Sequence, residues 1–247
     1  MHRLHDKTAI VTGAASGIGL AIANRLAAEG VNLLVTDIDG ERLKDVAAEL
    51  RSHGTDVEPA TLDVRDPYAV LAAAEQCIEL FGGLNIAVNN AGIVNGGPAW
   101  ELTLEDWHQV LDVNLWGVIH GVRAFVPRIL ATGEGHVINV ASMAAVNPVG
   151  GIAPYTVAKH GVLGLSDVLR LDLASIGAPI GVSTVFPGMI RTGMNPIGTV
   201  EPATVAANVI DAIQRQRPYV FTDDHSRADV RTRLEAIIGA RDDVIEN

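Results

Sequence analysis

From end to end, short continuously apolar runs alternate with longer segments of helical periodicity. The runs of strand length are Thr8–Thr12, Val31–Thr36, Val57–Thr61, Leu84–Val88, His136–Val140, Gly181–Phe186 and Tyr219–Thr222. Between them, Ile18, Ile22 and Leu26 recur at four-residue spacing, and Leu43, Val46, Ala47 and Leu50 mark another apolar helix face. Strands that are apolar throughout, rather than at every second residue, are buried on both faces. Parallel strands joined by right-handed helical crossovers satisfy that requirement. The pattern therefore predicts an α/β fold with a doubly wound parallel sheet of about seven strands, in one domain spanning residues 1–247. No internal repeat or Pro/Ser-rich linker divides it.

The tail, residues 223–247, differs. Seven acids (Asp223, Asp224, Asp229, Glu235, Asp242, Asp243, Glu246) and four arginines surround Val230, Leu234, Ile237 and Ile238. This spacing predicts an extra amphipathic C-terminal helix with a frayed acidic end.

Charge and cysteine usage exclude several function classes. With 18 basic against 29 acidic residues the chain carries −11, a sign that repels phosphate backbones and argues against nucleic acid as a partner. The uncharged stretch 137–158 is long enough to span a bilayer, but Asn139, Asn147, Pro148, Gly150, Gly151 and Pro154 would break a helix there. It reads as a strand entering a loop, so no membrane partner is expected. The first residues carry no signal-peptide core, and the lone Cys77 forms no internal disulfide. A soluble, cytoplasmic protein is expected. The eight histidines are scattered without metal-ligand spacing, so no metal site is expected.

Three constellations carry chemistry. Thr12-Gly13-Ala14-Ala15-Ser16-Gly17-Ile18-Gly19 follows the first strand and opens the first helix. Glycines there let the backbone approach a pyrophosphate, which the free N–H groups and dipole of the helix N-terminus stabilise. The competing reading is an ordinary Gly-rich turn, but its place at the first crossover favours a dinucleotide and hence a Rossmann-type sheet. Asp37 ends the second strand, 18 residues after Gly19, where a carboxylate accepts both hydroxyls of an adenosine ribose. It could instead cap the next helix; Asp39 is the better cap and leaves Asp37 free. Finally, Tyr155 and Lys159 lie four apart on one helix face. A neighbouring ammonium favours the phenolate and draws its pKa down toward working pH. Ser142, at a strand end, would hold a substrate oxygen. Alone, Tyr-x-x-x-Lys is commonly a solvated surface pair.

Together these motifs resemble the short-chain dehydrogenase/reductase family, in its branch of about 250 residues, with motifs in register from Lys7 to Thr192. The family's cofactor loop is matched by Gly13, Ser16, Gly17, Ile18 and Gly19, with Asp37 and Ile38 following. Asp63 and Val64 match its adenine contact, and Asn89, Asn90, Ala91 and Gly92 its stretch beneath the nucleotide. Asn114 completes a tetrad with Ser142, Tyr155 and Lys159, Ser142 standing 13 residues before Tyr155 as in the family. Pro187, Gly188, Ile190 and Thr192 are similar to its nicotinamide-side loop.

The resemblance implies an NAD(H)-dependent oxidoreductase that interconverts a secondary alcohol and a ketone. Tyr155 would be the acid/base, Ser142 the holder of the substrate oxygen, Lys159 the group that tunes Tyr155 and binds the nicotinamide ribose, and Asn114 the keeper of a water in the proton path. The alternatives are an NADPH-dependent carbonyl reductase, opposed by Asp37, and a non-catalytic nucleotide-binding sensor, opposed by the intact tetrad. The uncharged loop Gly193–Gly198, with Met143, Met189 and Met194 nearby, points to an apolar or alicyclic small-molecule substrate. Trp100, Trp107 and Trp116 read as core and interface packing. Leu163, Leu165, Val168, Leu169 and Leu173 are more apolar positions than one buried helix face needs, so a homodimer or homotetramer is expected.

Overall fold

The structure, a computed structural model, describes residues 1, 3–222 and 227–245. Seven strands form one parallel sheet: β1 (Thr8–Thr12), β2 (Asn32–Asp37), β3 (Val57–Thr61), β4 (Ile86–Asn89), β5 (Gly135–Val140), β6 (Ile180–Phe186) and β7 (Tyr219–Phe221). Their order is β3-β2-β1-β4-β5-β6-β7. The order reverses between β1 and β4, the switch point outside whose carboxyl ends doubly wound sheets bind ligands. Most strand limits fall within a residue or two of expectation. Val31 drops out of β2 because its N–H completes the preceding helix by donating to Leu26 O (3.1 Å).

The helices are α1 (Gly17–Ala28), α2 (Gly40–Leu50), α3 (Pro67–Phe81), α4 (Leu104–Leu111), α5 (Gly117–Thr132), α6 (Ala153–Ser175), α7 (Pro202–Arg215) and α8 (Arg227–Ile245). Strand side chains alternate between two cores. Ala9, Val11, Leu33 and Val35 meet Ile22 and Leu26 of α1, Leu43 of α2 and Val209 of α7. Ile10 and Leu34 meet Val70 of α3, Phe125 of α5 and Leu169 of α6 on the opposite face.

Side-chain capping starts three of these helices. Asp39 caps α2 by accepting from Arg42 N (3.1 Å). Asp66, followed by Pro67, caps α3 through Tyr68 N and Ala69 N. Thr103 and Asp106 form a reciprocal capping box on α4. No side chain caps α1, which opens directly from the Gly-rich loop.

Two expectations are corrected. Trp100 is 85% exposed and Trp116 50% exposed, so neither is a core residue, while Trp107 is half-buried. Trp100 stands in a surface turn closed by Glu101 N donating to Pro98 O (2.9 Å), and α4 beside it buries only Val110. The terminal helix forms, but Leu234, Ile237 and Ile238 remain exposed. It runs to Ile245; Asp223, Asp224 and Glu246 lie outside the described residues. Among the described residues, no helix is long and apolar enough to cross a membrane.

A buried histidine makes stability pH-dependent. Ser183 Oγ donates to Arg217 O (2.5 Å) and therefore accepts from His136 Nε2 (2.7 Å). That leaves His136 Nδ1 as a buried lone pair without a partner. Protonation would place an unsatisfied charged donor in the core, and burial, aided by the chain's N-terminal ammonium, pulls the imidazole down to about 3. The unfolded imidazole, near 6.5, binds the proton first, so stability is full above about 6.5 and falls as pH drops toward 3. From pH 7 to 5 the expected loss is on the order of 2 kcal/mol. Urea melts at the two pH values should show it, and His136→Gln should flatten the slope.

Candidate active site

The candidate site lies along the carboxyl ends of β1, β2, β4, β5 and β6. At β1 the chain turns through Gly13 (φ +67°) and Gly17 (φ +56°). A Cβ on Gly13 would stand 2.8 Å from Asn90 Nδ2 and 2.9 Å from Ala91 Cα. One on Gly19 would overlap the Gly13 carbonyl oxygen and Asn90 Nδ2. The glycines thus let three backbone segments pack together below the uncapped start of α1.

Stitches hold that arrangement. Thr12 Oγ1 donates to Val88 O (3.2 Å) and accepts from Asn90 N (2.9 Å) and Ala91 N (3.1 Å). Asn90 Nδ2 donates to Thr12 O (2.9 Å) and Gly13 O (3.1 Å). The Asn90 amide therefore shapes the loop. Thr12, which the sequence marks only as the start of the motif, is its hub.

Asp37 is not free as expected. Its Oδ2 accepts from Ala15 N (2.9 Å) and its Oδ1 from Asp39 N (3.1 Å), while Asp39 does the capping. Each carboxylate oxygen has a second lone pair, so Asp37 both anchors the loop and retains acceptor capacity toward a ribose. Ile38 beside it is exposed. Asp63, past β3, is clasped by the Arg65 guanidinium through both oxygens (2.6–3.0 Å). That contact holds its carboxyl below the usual range. Val64 is buried, and its carbonyl accepts from His120 Nδ1 (2.9 Å). Across the cleft, Thr192 lies against Gly17, where an added Cβ would come 3.2 Å from Thr192 Cγ2. Pro187 accepts from Met143 N (3.0 Å), Gly188 N donates to Thr222 Oγ1 (3.3 Å), and Ile190 is buried.

The four candidate catalytic residues converge beyond β4 and β5. Ser142 heads a tight 3₁₀ turn (Met143–Ala145), its Oγ accepting from Ala144 N (3.1 Å). Lys159 is 3% exposed; its Nζ donates to Val140 O (2.8 Å) and stands 5.5 Å from the Tyr155 ring centre. Burial pulls this ammonium down to about 8. The half-buried Tyr155 departs from expectation: burial pushes its phenol up, and a hydrogen bond with Ser142 opposes that rise. Asn114 lies in a π-helical turn (Asp112–Trp116) between α4 and α5, a local widening frequent at functional sites. Its Oδ1 accepts from Ile93 N and its Nδ2 donates to Ile93 O, each at 2.8 Å. The side chain clasps the segment after Gly92, where an added Cβ would lie 3.3 Å from Asn114 Oδ1 and 3.7 Å from Lys159 Nζ. Nothing in the sequence foretold the π turn or the Val140 acceptor.

The residues present fit a dinucleotide: a glycine cradle that a Cβ would fill, an uncapped helix start for the pyrophosphate, and a carboxylate at the end of β2. Comparison with known proteins agrees. A family model described as short chain dehydrogenase matches residues 7–199. The 1-deoxy-11-beta-hydroxypentalenate dehydrogenase of Streptomyces avermitilis is 40% identical over 248 residues, covering 95% of this chain and 89% of that protein. Its counterpart from Streptomyces exfoliatus is 37% identical, covering 96% and 90%. The crystal structure of a short chain dehydrogenase/reductase from Burkholderia phymatum in complex with NAD superposes with a TM-score of 0.93, at 32% identity and 96% coverage of both chains.

Gly19→Ala should weaken dinucleotide binding at least tenfold in a fluorescence titration, because its methyl group forces Gly13 and Asn90 apart. Gly193→Ala, whose Cβ meets nothing within 4 Å, should leave that affinity unchanged.

Proposed function

The chain belongs to the short-chain dehydrogenase family of oxidoreductases, and on that premise we propose that it interconverts a secondary alcohol and a ketone using NAD(H), with Tyr155 as the acid/base. The observation that carries this reading is the convergence of Ser142 and the buried Lys159 ammonium on the Tyr155 phenol. In the oxidative direction, Ser142 Oγ holds the substrate oxygen and Tyr155 Oη receives its hydroxyl proton. Lys159 favours the charged phenolate. Asn114, by clasping Ile93, sets the backbone bordering Lys159 and so shapes the proton path. The nicotinamide ring, when bound, supplies the hydride acceptor or donor.

Ile93, Val94, Met189, Met194 and Ile197 are exposed apolar side chains on the segments flanking the site. Arg191 on the covering loop is engaged by Glu201 (2.9 Å) and Gly198 O (3.0 Å). These features favour an apolar or alicyclic substrate, as do relatives named for hydroxypentalenate. Tyr155→Phe should abolish turnover of cyclohexanol or borneol while leaving the affinity for NAD within about twofold. Lys159→Ala should damage both. If Tyr155→Phe kept more than about a tenth of kcat, the acid/base assignment would fail.

Asp37 supports NAD over NADP. A 2′-phosphate about 4 Å from its carboxylate costs on the order of 4 kcal/mol per charge pair at an effective dielectric near 20, before screening. Ala14, Ala15, Ser16, Ile38 and Asp39 offer no cation. A preference for NAD of at least about a hundredfold in kcat/KM, roughly 2.7 kcal/mol, is expected. Asp37→Ser should shrink it, and equal use of both cofactors by the natural enzyme would contradict it.

Val157, Val168 and Leu171 leave an exposed apolar strip on α6, which supports assembly into at least a homodimer. Sedimentation at micromolar concentration should show no 26.0 kDa monomer as the main species. A single cysteine, which can form no internal disulfide, supports work in the reducing cytoplasm.

A further inference from the structure

The residues matched by the family model end at 199, well before α8. Most side chains described on α8 are exposed; Val230 and Arg233, one helical turn apart, are half-buried. Arg233 reaches two places in the body at once. Its Nη1 donates to Val146 O (3.1 Å) and its Nη2 meets His160 Nε2 (3.3 Å).

Both acceptors belong to the catalytic frame. Val146 closes the turn that Ser142 opens: Ala145 N donates to Ser142 O (2.9 Å), and Val146 N and Asn147 N both donate to Met143 O (3.0 and 2.8 Å). Met143 N, at the turn's other end, is fixed by Pro187 O (3.0 Å). His160 follows Lys159 on α6. Its Nδ1 lies 2.9 Å from Thr156 O, and a carbonyl only accepts, so Nδ1 carries the proton. The Nε2 lone pair is then the acceptor that the guanidinium needs.

We propose that Arg233 is a positioning residue for the active site, tying the turn that begins at Ser142 to the helix that carries Tyr155 and Lys159. A planar guanidinium suits this task because its fork holds two fixed acceptors together, which a lysine ammonium cannot reproduce with the same geometry. Removing the clamp loosens Ser142 relative to Tyr155, and displacements of about an ångström at a reacting centre can cost up to a hundredfold in rate. The weakened Ser142 bond also leaves the Tyr155 phenol higher, as that bond is what opposes its rise on burial. Because α8 lies on the surface, the two cores stay intact without the clamp.

The inference rests on the catalytic roles proposed for Ser142 and Tyr155, so its test has one arm that needs no turnover. Hydrogen exchange on the full chain should show the amides of Ala145, Val146 and Asn147 exchanging at least about fivefold faster in Arg233→Ala, with β1 and β2 unchanged and Arg233→Lys intermediate. With NAD and cyclohexanol or borneol as probes, Arg233→Ala should lower kcat about tenfold and move the acid limb of its pH profile upward, leaving the KM for NAD within twofold. In a Ser142→Ala background, Arg233→Ala should cost less than twofold more. Unchanged exchange overturns the clamp, and so does a full tenfold loss in that background. Absence of turnover by the unsubstituted enzyme would count against the catalytic reading alone, since exchange still decides the clamp.

Discussion

The buried Lys159 ammonium is the constraint around which the site is organised. Taking such a charge out of water costs several kcal/mol even after relaxation. The protein offsets this with the Val140 carbonyl at 2.8 Å and the π face of Tyr155. Neither neutralises it, and the ammonium remains pulled down to about 8. A phenolate on Tyr155 would supply the missing negative charge. The pair's first proton is therefore set to leave near 8, below the ordinary phenol range of about 10. In the proposed mechanism the form that takes up the substrate proton has Lys159 charged and Tyr155 as the phenolate. Burial pushes Tyr155 the other way, and the hydrogen bond with Ser142 opposes that rise.

Everything else keeps that pair beside a dinucleotide. Val140, whose carbonyl accepts from Lys159, ends β5, and β5 lies next to β4, whose extension Asn90 stitches the glycine loop. The switch point falls between β1, which feeds the loop, and β4, which pairs with β5, so only β4 separates the loop's strand from the strand that holds Lys159. Asn114, from a π turn, and Pro187, after β6, fix the remaining borders by bonding backbone groups.

Much of this was legible in the sequence because it depends on period and spacing. Apolar runs such as Val31–Thr36 could only be strands buried on both faces. Tyr155 and Lys159 had to share a helix face, and Asp37 had to stand beside the loop. The remainder depends on backbone groups that no side-chain pattern specifies. The Ala15 N–H that occupies part of Asp37, the Val140 carbonyl under Lys159, and the π turn at Asn114 arise only when distant segments meet. Long-range contacts carry the same lesson. Arg233 and His160 are 73 residues apart, and the tail's composition announced a helix but not where it would dock. Trp100 leaves the core for a related reason: its size favours burial, yet a turn at Pro98–Glu101 carries it outward, where only an interface could cover it.

The central claim is that the Lys159–Tyr155 pair takes up the substrate proton as the carbinol hydrogen leaves. Single-turnover rapid mixing of the NAD-loaded enzyme with an alicyclic alcohol, read as reduced-nicotinamide absorbance across pH, tests it most directly. The account predicts a rate that climbs with pH through one ionisation near 8, below the free phenol value of about 10. A rate independent of pH, or a limb at or above 10, would contradict it.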